Sequence, residues 1–385
     1  MEVRVKQKVD YFAGYALIGL LLPVTRLLGI TLRRDHSGKD APRRILFIKL
    51  LGLGSLIVAS DAIRAMKARY PASRFILLTD ANIAAGIAPF ELFDEIHVVN
   101  SDSLASTARD VLRFLVKSWR WRNLWVIDLE VYSKLTTVFA LMTGARNRYG
   151  FFLSPVPFRK YLNTHNIVFD QEAFLEDNYE HMAREVTGAS LPEPAPADRH
   201  GHLNKTYIIL NNTCSSLANE RKLPDKTFSE ICSWILDNTA YCLALLGMEA
   251  DKPKIDSLIS DTPRLKEQQR RIVNYAGKAE DFPAYYRFLS EQGVCLVTID
   301  SGPLHIARKL GLPTVSVWGP TDPENYLKIP VAEKDRHLYF YSKTPCSPCI
   351  HRYHPLPCGG NNFCMKNIPA EVIIGKIRQL LKNLD

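Results

Sequence analysis

An aspartate, a serine, a glycine, a proline and a histidine stand within six residues, Asp300 to His305, inside "TIDSGPLHIARKLG". The apolar run "VCLVTI" (294–299) leads into them and a helix-like pattern follows. Pro303 suits the first helical position, where a missing N–H costs nothing. The amides ahead of it and the positive end of the helix dipole then offer an anion site for a phosphate or diphosphate. Gly302 permits close backbone approach, Asp300 and Ser301 shape the turn, and His305 supplies a donor. The bland alternative is a strand–turn–helix with a capping serine.

Eight cysteines are present. Cys214, Cys232, Cys242 and Cys295 fall in or near predicted elements and read as small buried residues. The other four, Cys346, Cys349, Cys358 and Cys364, share "CSPCIHRYHPLPCGGNNFC", with His351 and His354 between them. Thiolates this dense in a Gly/Pro-rich loop suit a structural zinc, with an iron–sulfur cluster, disulfides or free thiols as alternatives. A cytosolic setting disfavours disulfides.

These residues need a frame. From Arg44 the chain alternates short apolar runs with amphipathic stretches: "RILFIKL", "FILLTD", "EIHVVN", "LWVIDLE" and "RNRYGF". A proline-rich, aperiodic stretch, 187–204, reads as a linker. The alternation restarts with "YIILNN", "YCLALLG", "IVNYAG", "VCLVTI" and "TVSVWG". Nearly continuous apolar strands between helices predict parallel sheets covered on both faces. The expected class is α/β: two doubly wound, Rossmann-like domains facing across a cleft, with ligands at the carboxyl ends of the strands. The boundaries read 1–43 for an apolar segment and linker, 44–186 and 205–340 for the two domains, 341–368 for the Cys-rich loop, and 369–385 for a final helix packed back across the domains.

The start is less ordinary. "YFAGYALIGLLLPVT" (11–25) carries no charge; Arg26 and "LLGITL" follow. A membrane span wants about 20 apolar residues. With Pro23 and Arg26 inside it, the run reads as a segment lying in or dipping into one leaflet, with a full span or a helix packed on the protein's own core as the alternatives. "HSGKDAP" (36–42) reads as a linker. The 385 residues carry a net charge of +9 and are 46% hydrophobic, which suits anionic partners. "RFLVKSWRWRNLW" (113–125) mixes tryptophans with basic residues as membrane-interface segments do. No RNA-binding signature accompanies it, so nucleic acid is not an expected partner.

The stretch Asn274–Tyr326 resembles the C-terminal signature of family 9 glycosyltransferases, the ADP-heptose:lipopolysaccharide heptosyltransferases and relatives. An "AGK" turn (Ala276-Gly277-Lys278), the "DSGP-x-H" turn (Asp300 to His305) and "GPTDP" (Gly319 to Pro323) occur in the family's order. The resemblance implies the GT-B fold, with the nucleotide-sugar donor held mainly by the second domain. It puts Arg221, beside Lys222, on the donor diphosphate, with Leu223 replacing a tryptophan. Asp251 is set at the nucleotide ribose, with Glu249 as second choice, and Lys278 in the donor site. It also implies catalysis without a metal, because helix dipole and cations stabilise the leaving diphosphate.

The first domain departs from the family pattern. A glycine-rich turn after the first strand usually presents an aspartate as general base; here "KLLGLGSL" has Gly52, Gly54 and then Ser55 in its place. A serine is a poor base unless activated. Asp128 and Glu130 end the fourth strand at the same edge, and Glu130 is the expected substitute base, with Asp61 less well aimed. The alternative for Glu130 is a structural pairing with Lys134 four residues on.

The expected function is an inverting, metal-independent glycosyltransferase moving a sugar, a heptose in the best-known relatives, from a nucleotide diphosphate to a lipid-linked or cell-envelope glycan. Its expected place is the cytoplasmic face of a bacterial inner membrane, held peripherally or monotopically. The competing function is a non-catalytic relative that keeps the donor site. A dinucleotide-dependent oxidoreductase is disfavoured, because "GLGSLI" lacks the third glycine of its fingerprint.

Overall fold

Parallel strands in two separate groups set the architecture. The computed structural model describes residues 3–384 except 34, 101, 154–158, 160–161, 190–204, 215, 351, 354 and 355. The chain divides into two units, Met1–Pro194 and Ala195–Asp385. Most of the expected linker, and both histidines of the Cys-rich loop, lie outside the described residues.

The first sheet holds β1 (Arg44–Lys49), β2 (Arg74–Thr79), β3 (Glu95–Val98), β4 (Leu124–Asp128), β5 (Asn147–Phe152) and β6 (His165–Val168). Its order is β3-β2-β1-β4-β5-β6, and all pairings are parallel. The second holds β7 (Tyr207–Asn211), β8 (Cys242–Leu246), β9 (Ile272–Asn274), β10 (Gly293–Ile299), β11 (Thr314–Trp318) and β12 (His337–Tyr341), in the order β12-β11-β10-β7-β8-β9, also all parallel.

The central strands β4, β10 and β11 are buried along their whole length. That is why they read as unbroken apolar runs. In each sheet the winding direction reverses once, between β1 and β4 and between β7 and β10. A crevice opens at the carboxyl ends of such strand pairs. Both candidate motifs sit there: Lys49 to Ser55 and Asp128 to Glu130 in the first unit, Asn211 and Asp300 to His305 in the second.

Two strands were not expected. Both β6 and β12 are edge strands, half-exposed in places, so their apolar pattern is diluted. The final helix, Ala370–Leu384, packs on β11, β12 and the Asp225–Asn238 helix of its own unit.

The N-terminal helix runs unbroken from Val3 to Leu32 with Pro23 inside it. The residue four before that proline, whose carbonyl faces the ring, is the unencumbered Gly19. The helix packs along the Lys134–Met142 helix of the first unit, burying Ile18 against Val138 and Leu162 with Leu21, Leu22 and Leu141 around them. Over Lys8–Leu32 it is long and apolar enough to cross a membrane by length and composition. The supposed linker 36–42 is fastened to the unit: Arg146 donates to Asp40 at 2.9 Å and pairs with Asp35 at 3.2 Å.

Candidate functional site

In the second unit, Asn211 ends β7 and reaches across to β10. Its Nδ2 donates to Ser301 Oγ at 2.9 Å, Thr298 Oγ1 at 3.1 Å and the Thr213 carbonyl at 3.0 Å. Ser301 Oγ in turn donates to the Ile299 carbonyl at 3.2 Å. The serine is therefore drawn under the turn and makes no side-chain cap on the Gly302–Lys309 helix. The amide end of that helix stays open, and a Cβ built on Gly302 meets nothing within 4 Å.

Charge is arranged around this opening. Asp300 is buried, accepts from Thr321 Oγ1 at 2.7 Å and pairs with Arg221 Nε at 3.3 Å. Arg221 also donates to the Asp300 carbonyl at 3.4 Å. His305, 9% exposed, has no hydrogen-bond partner on Nδ1. An orphaned ring nitrogen and a guanidinium beside an uncapped helix start suit an incoming anion. Arg221, Asp300, Ser301, Gly302, Pro303 and His305 are thus brought together, and Lys222 stands beside Arg221, both within electrostatic reach of Cys214. Asn211, Thr298 and Thr321 complete the cluster. Sequence reasoning missed them, although Thr321 lies in the quoted "GPTDP".

Asp251 and Lys278 lie on the loops after β8 and β9, at the same sheet edge but two and three strands from β10. Asp251 accepts from the Met248 amide at 3.0 Å, closing the loop after β8. Glu249 lies over Gly277, whose positive φ and lack of a Cβ the contact requires. Lys278 is exposed, with its ammonium 5.6 Å from the Tyr275 ring.

Burial pushes the His305 imidazole down to about 4, against Asp300, with Arg308 and Arg221 adding to the depression. Burial also pushes His337 down to about 3. Both rings are neutral at neutral pH. The unfolded chain protonates them near the ordinary value while the folded chain resists, so stability is full above about pH 6.5 and falls as pH drops towards 4. Unfolding near pH 5 should take up about two protons from these rings. Urea unfolding measured from pH 7 to 4 checks this, and His305→Gln should reduce the uptake by about one.

In the first unit, Glu130 stands just past β4 beside the first glycine turn, and it is occupied. One carboxylate oxygen accepts from the amides of Leu50 at 2.7 Å and Leu51 at 2.8 Å, while the other meets Lys49 Nζ at 3.3 Å. Burial alone would lower the Lys49 ammonium; Glu130, Tyr179 and Asp128 outweigh it and hold it above its ordinary value. Glu130 is 7% exposed. With these bonds made, it anchors the turn. Its partner is Lys49; Lys134 instead stacks over Tyr11 and Tyr15.

Asp128 is more deeply buried. It is 0% exposed, pairs with the equally buried Arg159 at 2.5 Å and accepts from Thr136 and Thr137. This is an internal anchor, with both its charge and its hydrogen bonds taken up inside the unit. Arg159 carried no sequence signal, since its partner lies 31 residues away. Gly52 adopts a left-handed conformation, and Ser55 Oγ donates back to its carbonyl at 2.8 Å and meets the Tyr179 hydroxyl. Gly54 is buried in the short helix Leu53–Val58, and Asp61 pairs with Arg64 at 3.3 Å on the next helix.

The Cys-rich loop packs against the Gly319–Pro320 turn after β11. The amides of Cys349 and Ile350 donate to the Pro320 carbonyl at 2.9 and 3.1 Å. Gly319 lies so close to Met365 and Cys364 that a Cβ there would come within 3.0 Å of both sulfurs. All eight cysteines are free thiols. Burial raises Cys364 to about 11, helped by the three neighbouring thiols. Among the described residues no three His, Cys, Asp or Glu side chains stand where they could hold a metal ion.

Residues 158–358, just over half of the chain, match the family described as glycosyltransferase family 9 (heptosyltransferase). The chain belongs to this family. Family 9 membership supports glycosyl transfer as its general activity. Among named relatives, lipooligosaccharide heptosyltransferase 2 of Campylobacter jejuni serotype O:2 is 26% identical over 121 residues. That match covers 31% of this chain and only 35% of the relative's length. The fold is similar to E. coli ADP-heptose LPS heptosyltransferase II, with a TM-score of 0.67 at 17% identity over 89% of this chain and 100% of that one. It is also similar to E. coli heptosyltransferase WaaC with ADP, with a TM-score of 0.64 at 14% identity over 88% and 99%. The two six-stranded parallel units are thus GT-B-like, as in family 9 heptosyltransferase structures. Low identity throughout marks this as a distant member.

Proposed function

We propose that the protein is an inverting glycosyltransferase that takes an ADP-heptose-type nucleotide sugar and passes its sugar to a lipid-linked or cell-envelope glycan at a membrane surface. The observation that carries the reading is the uncapped, unobstructed amide end at Gly302, flanked by Arg221 and the orphaned His305 nitrogen. The donor diphosphate binds there. From β10 to the loop after β8 is two strand spacings, about 10 Å, a reach that sets the ribose near Asp251 and Glu249. In the transfer, an acceptor hydroxyl oxygen bonds to the anomeric carbon as the bond to the diphosphate oxygen breaks. The leaving diphosphate carries the electron pair, and the amides, the helix dipole and Arg221 stabilise its charge without a metal. The acceptor's hydroxyl proton passes to solvent water in the same step, balancing the charge left on the diphosphate. Glu130, with Lys49, positions the Gly52–Ser55 turn on the acceptor side.

Thermal shift with ADP, UDP and GDP tests the donor site. ADP should raise the melting temperature selectively, and Arg221→Ala should remove that rise. If no nucleoside diphosphate shifts the protein, the reading fails. Glu130→Gln separates base from anchor in a transfer assay. An anchor raises the acceptor KM and lowers Tm while leaving the acidic limb of the pH–rate profile in place. A base loses kcat and that limb together.

The engagement of both Asp128 and Glu130 favours one second reading, a relative that binds the donor without turning it over. Saturable ADP-sugar binding with no transfer or hydrolysis, against envelope extracts as acceptor, is its signature.

A further inference from the structure

We propose that the N-terminal helix is a one-sided membrane anchor: its outward apolar face and distal end lie in a single leaflet of an anionic lipid surface, and both its ends stay on the side of the first unit. This inference rests on the membrane-surface part of the reading above and specifies how that surface is met.

The near end is latched. Asp10 caps the Lys134–Met142 helix, accepting from Ser133 Oγ at 2.6 Å and from the amides of Lys134 and Leu135 at 2.9 Å each. A carboxylate at a helix N-terminus is favoured by the dipole as well as by these bonds. Gly14 lies directly on Lys134, where any side chain would clash with its Cβ at 2.4 Å. The Lys134 ammonium sits over the rings of Tyr11 and Tyr15 at 5.1 and 4.8 Å. Ile18 completes the buried stripe.

The far end is latched too. Three residues after Leu32, the Asp35 carbonyl and carboxylate accept from Arg146 at 2.5 and 3.2 Å, and His36 Nδ1 meets the Arg146 carbonyl at 2.5 Å. Three residues reach at most about 10 Å. The helix end is therefore held within about 10 Å of the first unit, and a hydrocarbon core of about 30 Å has no room between them. Taken alone, Lys8–Leu32 is long and apolar enough to cross. Held at Asp10 and Asp35 by the same unit, it has no crossing path unless Asp10, Gly14 and Ile18 all leave their sites.

What remains outward is a surface for lipid. From Pro23 to Leu32 nearly every side chain is exposed, with Leu27 at 65% and Ile30 at 71%, and Phe12 and Leu20 continue it towards the N-terminus. The stretch of 14 residues from Gly19 spans about 21 Å, too short to cross but enough to embed lengthwise. Lys8, Arg26 and Arg33 are basic and exposed, while the acids Asp10 and Asp35 are taken up by the helix cap and by Arg146, and this balance matches anionic headgroups. The exposed Trp119 borders the same end, donating its indole N–H to the Met142 carbonyl at 2.8 Å. Tryptophan favours that interfacial depth.

The test uses the full chain with a protease-cleavable tag at its N-terminus and vesicles of phosphatidylethanolamine with a quarter phosphatidylglycerol. The protein should float with the vesicles, and external protease should remove the tag without detergent. The double variant L27E/I30E should lower the vesicle-bound fraction roughly tenfold or more while leaving the ADP-induced melting shift unchanged. A tag protected until detergent is added means a span and overturns the proposal. So does failure to float, including the case where the helix pairs two copies of the chain and light scattering reports a dimer. Flotation of L27E/I30E at the wild-type level overturns it as well. Because the ADP shift is read on the same samples, loss of donor binding is told apart from loss of membrane binding.

Discussion

Replacing Arg159 with methionine is expected to destabilise the first unit by about 3–5 kcal/mol, the usual cost of removing one partner from a buried ion pair. Four contacts disappear together: Asp128 at 2.5 Å, the Val131 carbonyl at 2.6 Å, Thr137 Oγ1 at 2.9 Å and the Glu130 carbonyl. Methionine fills much of the volume but donates nothing. Two carbonyls of buried residues lose a donor, at about 1–3 kcal/mol for each group left unsatisfied. Burial already pushes the Asp128 carboxyl up, with Arg159 opposing it. In the variant that opposition is gone, and the folded chain holds the proton more tightly than the unfolded one. A raised acid gives stability that is present at low pH and lost as pH rises, so the defect should shrink from pH 7 towards pH 5. Urea unfolding of R159M, D128N and the double variant measures this. D128N/R159M should lose well under the sum of the two single losses, because no lone charge remains. A loss below about 1 kcal/mol for R159M would sink the assignment. The ADP-induced melting shift, which reads the second unit, should survive. Acceptor-side kinetics should suffer, since Arg159 holds the backbone of Glu130 and Glu130 holds the Leu50–Leu51 turn.

The same residues show where reading a sequence stops. β1, β4 and β10 were legible because burial on both faces leaves a continuous apolar run. β6 and β12 were not, because an edge position lets "HNIV" and "HLYFY" mix polar with apolar. The Asp300–His305 turn was legible because its geometry is local: strand, glycine, proline and helix start are consecutive. The acceptor turn is different. Glu130 was correctly placed beside Ser55, but its role depends on what its oxygens bind, and Lys49 lies 81 residues away. Arg159, between two stretches without periodicity, is known only through its bonds. Pro23 misled in the other direction, since a proline with Gly19 one turn before it can sit inside a continuous helix. The linker 36–42 misled for a similar reason. Its composition is that of a loop, while Arg146 fastens it.

Gly302→Asp should abolish donor binding while leaving the fold intact or slightly firmer, and this opposition makes it the sharpest test of the diphosphate site. The position has open space for a side chain, and its φ is not in the region reserved for glycine. It is the first residue of the Gly302–Lys309 helix, and Ser301 provides no side-chain cap. An aspartate there meets free amides and the positive dipole end, which should stabilise the unliganded protein by about 0.3–1 kcal/mol. The same carboxylate occupies the place of the donor's phosphates. A like charge at close range costs several kcal/mol, so ADP affinity should fall by roughly 100-fold or more. Gly302→Ala is the control: it adds volume without charge and should retain most of the affinity. Calorimetric titration with ADP, alongside melting curves without ligand, reads both halves. If G302D melts well below wild type, its loss of binding says nothing specific, and Ser301→Gly then serves as the second probe. That change removes the hydroxyl held by Asn211 and Thr298 and should loosen the turn without adding charge, weakening ADP far less than Arg221→Ala does. If G302D folds at least as well as wild type and still binds ADP as tightly, the diphosphate does not sit on these amides, whatever else the second unit does.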